Sequence, residues 1–223
     1  MENEKTPIVI FGIGGISQLA NYYFEIDSEY EVVAFTADEA YITDSTFEGK
    51  PVISFENIED KYPPALYKMF IALSYAQLNK LRESKYLAAK KKGYTLVSYI
   101  SSQCLNVSQY SIGENCFILE GSGIQPFTKI GNNVTIWSGA CVGHHSLIGD
   151  HNFIGAQSVI SGFCEIKNNC FIGANATIGQ GVVIANDNLL GAGSVTIKST
   201  EPFSAYVPQR SIKLEKKSNQ INL

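Results

Sequence analysis

The chain has 223 residues, with 17 Lys plus Arg against 21 Asp plus Glu, a formal net charge of -4 and 45% hydrophobic residues. That length accommodates two compact domains. The acidic balance without a long basic stripe speaks against nucleic acid as the main partner, and no apolar run approaches the roughly 20 residues a membrane-spanning helix needs.

The charged start Met1-Glu2-Asn3-Glu4-Lys5 leads straight into a strand-like segment. It does not fit the apolar core and small-residue cleavage site of a secretory signal, so a cytoplasmic location is expected. Pro7 to Phe11 is an apolar run that stops at Gly12-Ile13-Gly14-Gly15-Ile16-Ser17 and passes into a helix-like stretch through Tyr23. Tyr30 to Phe35, Met69 to Leu73 and Thr95 to Tyr99 are further apolar segments, alternating with helical candidates. The clearest of these, Ala76 to Lys92, stops before Gly93 and carries Lys90, Lys91 and Lys92 at its negative pole, where a solvated basic end is expected. The alternation predicts a small parallel sheet with helices on its faces.

The glycine turn is similar to the dinucleotide fingerprint but has Ser17 where the third glycine would stand. Backbone N–H groups at such a turn, facing a helix N-terminus, suit the phosphate of a ligand and make Gly12, Gly14, Gly15 and Ser17 candidate binding residues. A tight turn that only permits strand and helix to pack gives the same pattern. Asp38, shortly after the second strand, is placed to accept hydrogen bonds from a ribose or base.

From Ile112 to Leu190 every sixth residue is a branched aliphatic, through Ile118, Ile124, Ile130, Ile136, Val142, Ile148, Ile154, Ile160, Ile166, Ile172, Ile178 and Ile184. A helix repeats its apolar face every three or four residues and a simple strand every two, so a period of six belongs to a solenoid with short flat faces. Four residues after each aliphatic comes a second inward slot, filled by small residues except at Asn152 and Asn188. Gly, Asn and Asp fill the corners, and three hexads close one triangular coil of eighteen residues. Cys116, Cys164 and Cys170 fall in the small slots and are expected to behave as compact hydrophobes rather than disulfide partners.

The Ile-Gly-x-x-small-x units resemble the hexapeptide acyltransferase family, which implies a left-handed parallel β-helix. With the preceding glycine-turn domain, nearly the whole chain resembles the nucleotide-sugar acetyltransferases related to sialic acid O-acetyltransferase and to nucleotide-aminosugar N-acetyltransferases. The expected class is α/β plus all-β: a Rossmann-like domain at 1–104, a left-handed β-helix at 105–200 and a tail at 201–223. The resemblance implies a nucleotide-linked amino sugar in the first domain, with Ser74 of Ile71-Ala72-Leu73-Ser74 beside it. It implies acetyl-CoA on the solenoid as acyl donor, no metal, a homotrimer with an active site at each subunit boundary, and a role in surface polysaccharide or glycan synthesis.

All three histidines lie between Gly143 and His151. His144 falls two residues after the inward Val142 and is expected to point outward; the resemblance makes it the catalytic base. An imidazole with an intrinsic pKa of about 6.5 is suited to take a proton from an amine or hydroxyl at neutral pH. Gly162, one coil of eighteen residues later, offers a backbone N–H for the oxyanion about one strand spacing of 4.8 Å away. Relatives follow the base with an acidic residue that orients it; His145 stands there instead. Gly155, Gly173 and Gly191, stacked at one edge with Ala192 beside the last, are expected to leave a track for the pantetheine arm or to serve only as corner glycines. His151 stands two residues before the position at which some relatives carry a donor-contacting histidine, and Phe153 fills that position. Tyr206-Val207-Pro208-Gln209 departs from the Gly-Val-Pro-Ala often found after the last coil. Trp137, in the column of Gly155, is expected either at a trimer boundary or against ligand. A zinc site like that of the γ-type carbonic anhydrases is disfavoured, because His145 and His151 are one hexad apart and fall on successive corners, too far apart for ligand distances near 2.0–2.1 Å.

Overall fold

The computed structural model describes residues 5–105 and 111–209, with 211, 213 and 215. The N-terminal part is a sheet built from β1 (Thr6–Phe11), β2 (Tyr30–Ala37), β3 (Thr46–Phe47), β4 (Lys50–Ser54) and β5 (Lys68–Ile71), in the order β3-β4-β2-β1-β5. All pairs are parallel except β3 with β4. Helices α1 (Gly15–Ile26), α2 (Ile58–Lys61) and α3 (Lys80–Lys91) complete it. Ile8 and Ile10 of β1 face one cluster with Phe24 and Phe70, whereas Val9 and Phe11 face the other with Met69 and Tyr86; this is the two-sided burial expected of a parallel sheet.

Two segments depart from the sequence expectation. Thr95 to Tyr99 makes a single bridge to the α/β sheet, Leu96 with Met69, and Tyr99–Ile100 instead pairs with Phe117–Ile118 in the solenoid. The expected helix from Ala76 begins only at Lys80, because Gln77, Leu78 and Asn79 all have positive φ, between 50° and 66°. Tertiary contacts outweigh helix propensity there. The Tyr75 ring lies 4.9 Å from Phe153 and 4.8 Å from Phe171, and Asn79, fully buried, donates from Nδ2 to the Cys170 carbonyl. Lys90 and Lys92 are also less free than a solvated helix end implies, since they pair with Glu114 and Glu59.

The remainder is a three-sided prism of two-residue strands in parallel register. The first face runs from Tyr99–Ile100 through Phe117–Ile118, Thr135–Ile136, Phe153–Ile154, Phe171–Ile172 and Leu189–Leu190 to Ala205–Tyr206. The second includes Cys141–Val142 and Val159–Ile160, and the third Leu147–Ile148 and Glu165–Ile166. The prism thus starts before residue 105 and is capped by a rung from the expected tail. Ile118, Ile136, Ile154, Ile160, Ile172 and Ile184 are fully buried, each contributing about 1.5–3 kcal/mol of apolar transfer free energy. Cys116, Cys164 and Cys170 are buried free thiols, and burial pushes Cys116 up to about 12 and Cys170 up to about 11.

The three corners are chemically distinct. At the corner between the third and first faces, the side-chain Oδ1 of Asn132, Asp150, Asn168 and Asn186 accepts from the backbone N–H of Glu114, Asn132, Asp150 and Asn168, one coil earlier in each case. This ladder satisfies N–H groups that a tight corner would leave unpaired. The corner between the first and second faces carries small residues, Gly155-Ala156, Gly173-Ala174 and Gly191-Ala192. The corner between the second and third faces carries His144 and His145.

The α/β domain rests on the first face and on the two corners that bound it. Tyr23 donates to Glu120 at 2.7 Å on one side. On the other, Arg82 of α3 is fully buried and enters the solenoid with no carboxylate partner among the described residues. Its guanidinium donates to the Ser74, Asn133 and Asn152 carbonyls and to Asn133 Oδ1, at 2.9–3.2 Å. Burial lowers its pKa to about 10, which leaves it charged at neutral pH.

Candidate active site

His144 and Gly162 meet as the coil period requires. Phe163 N–H donates to the His144 carbonyl at 2.9 Å, fixing the two coils in register. The imidazole of His144 lies over Gly162, so that a Cβ built on the glycine would come within 2.8 Å of Cε1 and Nε2. Among the described residues the Gly162 N–H has no acceptor. The His144 N–H is held by Gln125 Oε1 at 3.0 Å, from the coil before. Gly143 fits the same stack, since its Cβ would strike the Gly162 nitrogen at 2.4 Å. The corner therefore presents an exposed imidazole, a free backbone donor one coil on, and no side chain between them.

His145 is brought to the same point, its Nδ1 lying 3.1 Å from Nδ1 of His144. Which ring donates depends on the tautomer. Two exposed rings flank His145, Phe127 and Phe163, which no motif or spacing singles out.

His151 does not join this corner. It lies at the ladder corner, 9% exposed, with Nδ1 accepting from Asn133 Nδ2 at 2.9 Å, its ring 5.4 Å from Tyr86 and Nε2 3.7 Å from Glu83. Burial lowers its pKa below the usual histidine value despite the nearby Glu83, so it is a neutral structural residue. Phe153 stacks on Phe171 at 5.4 Å under Tyr75. Trp137 packs into the cluster of Phe117 and Leu119 at the domain junction, within the chain itself.

Gly155, Gly173 and Gly191 have a packing cause. A Cβ on Gly155 would meet Ala174 N at 2.6 Å, and one on Gly173 would meet Ala192 N at 2.4 Å. The space their side chains would fill is taken by the next coil, so no open track results from their absence. Gly191 is looser, its nearest neighbour being Val207 at 3.2 Å. What that corner does offer solvent is small side chains and the N–H groups of Ala156, Ala174 and Ala192, which find no acceptor among the described residues. A groove of about 690 Å³ opens beyond it, between Ser194–Ser199 and Ala205–Pro208.

The second candidate cleft lies where β1, β2 and β5 end. It measures about 370 Å³ and is lined by Gly12, Ile13, Asp38, Tyr41, Leu73 and Lys85, among others. Such crevices at strand C-termini are where open α/β sheets hold ligands. Gly12, with φ of 122°, would bring a Cβ within 2.3 Å of Ser17 Oγ and 2.9 Å of the Ala72 carbonyl, and Ser17 donates to that carbonyl at 3.1 Å. Ser17 therefore replaces the third glycine of the fingerprint by stitching the turn to the end of β5. Gly14 and Gly15 face open space, and α1 starts there with no side-chain cap and no acidic residue in its first turn. Among the described residues the Gly14, Gly15 and Ile16 N–H groups have no acceptor, leaving the positive pole of α1 uncovered. Asp38 reaches the cleft but is paired with Lys85 at 2.6 Å, a partner the sequence reading missed because it comes from mid-helix, 47 residues away. Ser74 takes part through its carbonyl, as a ligand of Arg82.

Within the solenoid, the six-repeat bacterial transferase hexapeptide pattern matches residues 110–144, 127–162, 145–180 and 163–198. Among solved structures, the chain is similar to a variant of perosamine N-acetyltransferase from Caulobacter crescentus in complex with CoA and GDP-perosamine, with 23% identity over 91% of this chain and 93% of that one and a TM-score of 0.80. It is also similar to the acetyltransferase domain of PglB from Neisseria gonorrhoeae in complex with acetyl coenzyme A, with 18% identity, 92% and 97% coverage and a TM-score of 0.80. WeeI from Acinetobacter baumannii matches at 23% identity, 88% and 94% coverage and a TM-score of 0.73. Comparison with the sequences of curated proteins gives no match. Among the described residues no helix is long and apolar enough to cross a membrane.

Proposed function

We propose that this chain is an acetyl-CoA-dependent N-acetyltransferase acting on the amino group of a nucleotide-linked amino sugar, in surface polysaccharide or glycan synthesis. The observation that carries this reading is the His144 imidazole over the free N–H of Gly162. His144 Nε2 takes the proton as the sugar amine attacks the thioester carbonyl; the C–N bond forms and the oxyanion is held by Gly162 N–H. Collapse breaks the C–S bond, and the proton on His144 passes to the departing CoA thiolate. The neighbours in complex with CoA, acetyl-CoA and GDP-perosamine support the substrate class.

In this reading the N-terminal domain is Rossmann-like and holds the nucleotide in the cleft of Gly12, Asp38 and Leu73, with a phosphate at Gly14, Gly15 and Ser17. The corner of Gly155, Gly173, Gly191 and Ala192 takes the pantetheine arm. Within one chain the α/β domain covers the first face, whereas His144 lies on the corner opposite it. The sugar and the base therefore meet only across a boundary between copies, in keeping with a homotrimer.

The test is CoA release from acetyl-CoA by the purified protein against a panel of nucleotide-linked 3-amino and 4-amino sugars, beside hydroxyl-only controls. Release with an amino sugar supports the proposal; release only with a hydroxylated sugar makes the enzyme an O-acetyltransferase, and silence across the panel removes the assignment.

A further inference from the structure

The left-handed position of the His144 corner is occupied in three successive coils by Phe127, His145 and Phe163, with φ of 66°, 58° and 61°. Asn and Gly are the residues that suit this conformation, and they fill most equivalent positions at the other two corners. Here three rings stack along the prism instead. His145 lies between Phe127, at 4.6 Å and 37°, and Phe163, at 4.9 Å and 19°. His144 stands edge-on to both His145 and Phe163, at 90° and 89°.

We infer that His145 is a positioning residue for His144 that acts as a neutral hydrogen-bond acceptor, clamped in plane by Phe127 and Phe163. This rests on the proposed role of His144. For Nε2 of His144 to carry the lone pair, its proton must sit on Nδ1, and the acceptor 3.1 Å away is Nδ1 of His145. His145 then holds its own proton on Nε2. Protonation of His145 would turn its Nδ1 into a donor and force His144 Nδ1 to accept, which moves the His144 proton to Nε2 and removes the base. The dyad is thus active only when both rings are neutral. Besides the two histidines, the side chains facing the pair from the coils before and after are Gln125, Phe127 and Phe163; among the described residues no carboxylate or ammonium hydrogen-bonds or pairs with either ring.

The experiment compares the wild type with His145→Asn and His145→Phe. Asn offers an oxygen near the position of Nδ1, tolerates positive φ and does not titrate; Phe continues the ring stack but cannot accept. The acid limb of log kcat/KM should be steeper by up to one unit in the wild type than in His145→Asn, protonation of the substrate amine being common to both, and His145→Asn should keep activity at pH 8 within about threefold of wild type. His145→Phe should lose about 10²-fold in kcat with KM little changed. Imidazole ¹⁵N shifts of the wild type, which need no turnover, should place protons on Nδ1 of His144 and Nε2 of His145. The opposite tautomers, or His145→Phe as active as wild type, would overturn the inference. Loss of activity in His144→Ala alongside those results would leave the transferase reading standing, so the two fail separately.

Discussion

The ring of His144 and the Cα of Gly162 are stacked across one coil so closely that no side chain fits between them, a methyl on the glycine falling 2.8 Å from Nε2. His144→Ala should lower kcat by about 10²–10⁴-fold. Gly162→Ala should lower it too, by tilting the imidazole away from the N–H it covers. Steady-state CoA release measures both, with size-exclusion chromatography to check the assembly; normal turnover in either variant would remove that pair from the chemistry.

Gly14 offers a separate test of the α/β cleft. Its φ is -120° and nothing lies within 4 Å of where its Cβ would be, so the folded chain accepts a side chain there. Gly14→Leu should therefore keep the wild-type melting temperature while weakening nucleotide-sugar binding, as calorimetry would read it. Gly12→Ala should behave in the opposite way and unfold easily, because it meets Ser17 Oγ and the Ala72 carbonyl at a positive φ.

Arg82 bolts the two domains together through carbonyls rather than carboxylates. Arg82→Met keeps the stem but leaves the Ser74 and Asn133 carbonyls without a donor and the Asn152 carbonyl with only the Thr135 N–H. The expected loss is about 3–5 kcal/mol of stability in urea unfolding. An unchanged midpoint would mean that water replaces the guanidinium.

His151 gives the stability a pH dependence of known sign. Its folded pKa is depressed, by burial first, so the unfolded chain binds the proton more tightly. The contribution is complete above the unfolded value of about 6.5 and is lost as pH falls towards the lower folded one. The melting temperature should drop on going from pH 7 to pH 5, and His151→Asn should flatten that drop.

The buried thiols of Cys116, Cys164 and Cys170 should resist an aromatic disulfide reagent in the native state and react on unfolding. Rapid labelling of Cys164 in the folded protein would contradict the solenoid core described above.

The solenoid was legible because each of its decisions is local: an aliphatic, a corner former and a small residue recur every six positions, and one coil dictates the next. The same arithmetic put His144 against Gly162 without any three-dimensional information. What could not be read were contacts made by sequence-distant groups. The delayed start of α3 is caused by Tyr75 and Asn79 docking on Phe153, Phe171 and Cys170, 78 to 96 residues on. Lys85 beside Asp38, and Arg82 inside the prism, are ordinary helix lysine and arginine until the fold brings their partners to them. Gly155 and Gly173 stood open in the sequence between a binding track and plain corners, and the coil above supplies the packing reason for a glycine that the period alone could not.

The three unlike corners also set a reading frame for change in this protein. Losing or gaining one hexad would keep the aliphatic core intact yet turn every later corner by a third of a revolution, carrying Gly162 away from His144 and Asn168 out of line with Asp150. Only steps of a full turn preserve all three columns at once. Within its length the prism is accordingly free to lengthen or shorten in units of eighteen residues, while single hexads inserted or lost there are frame-shifts in three dimensions.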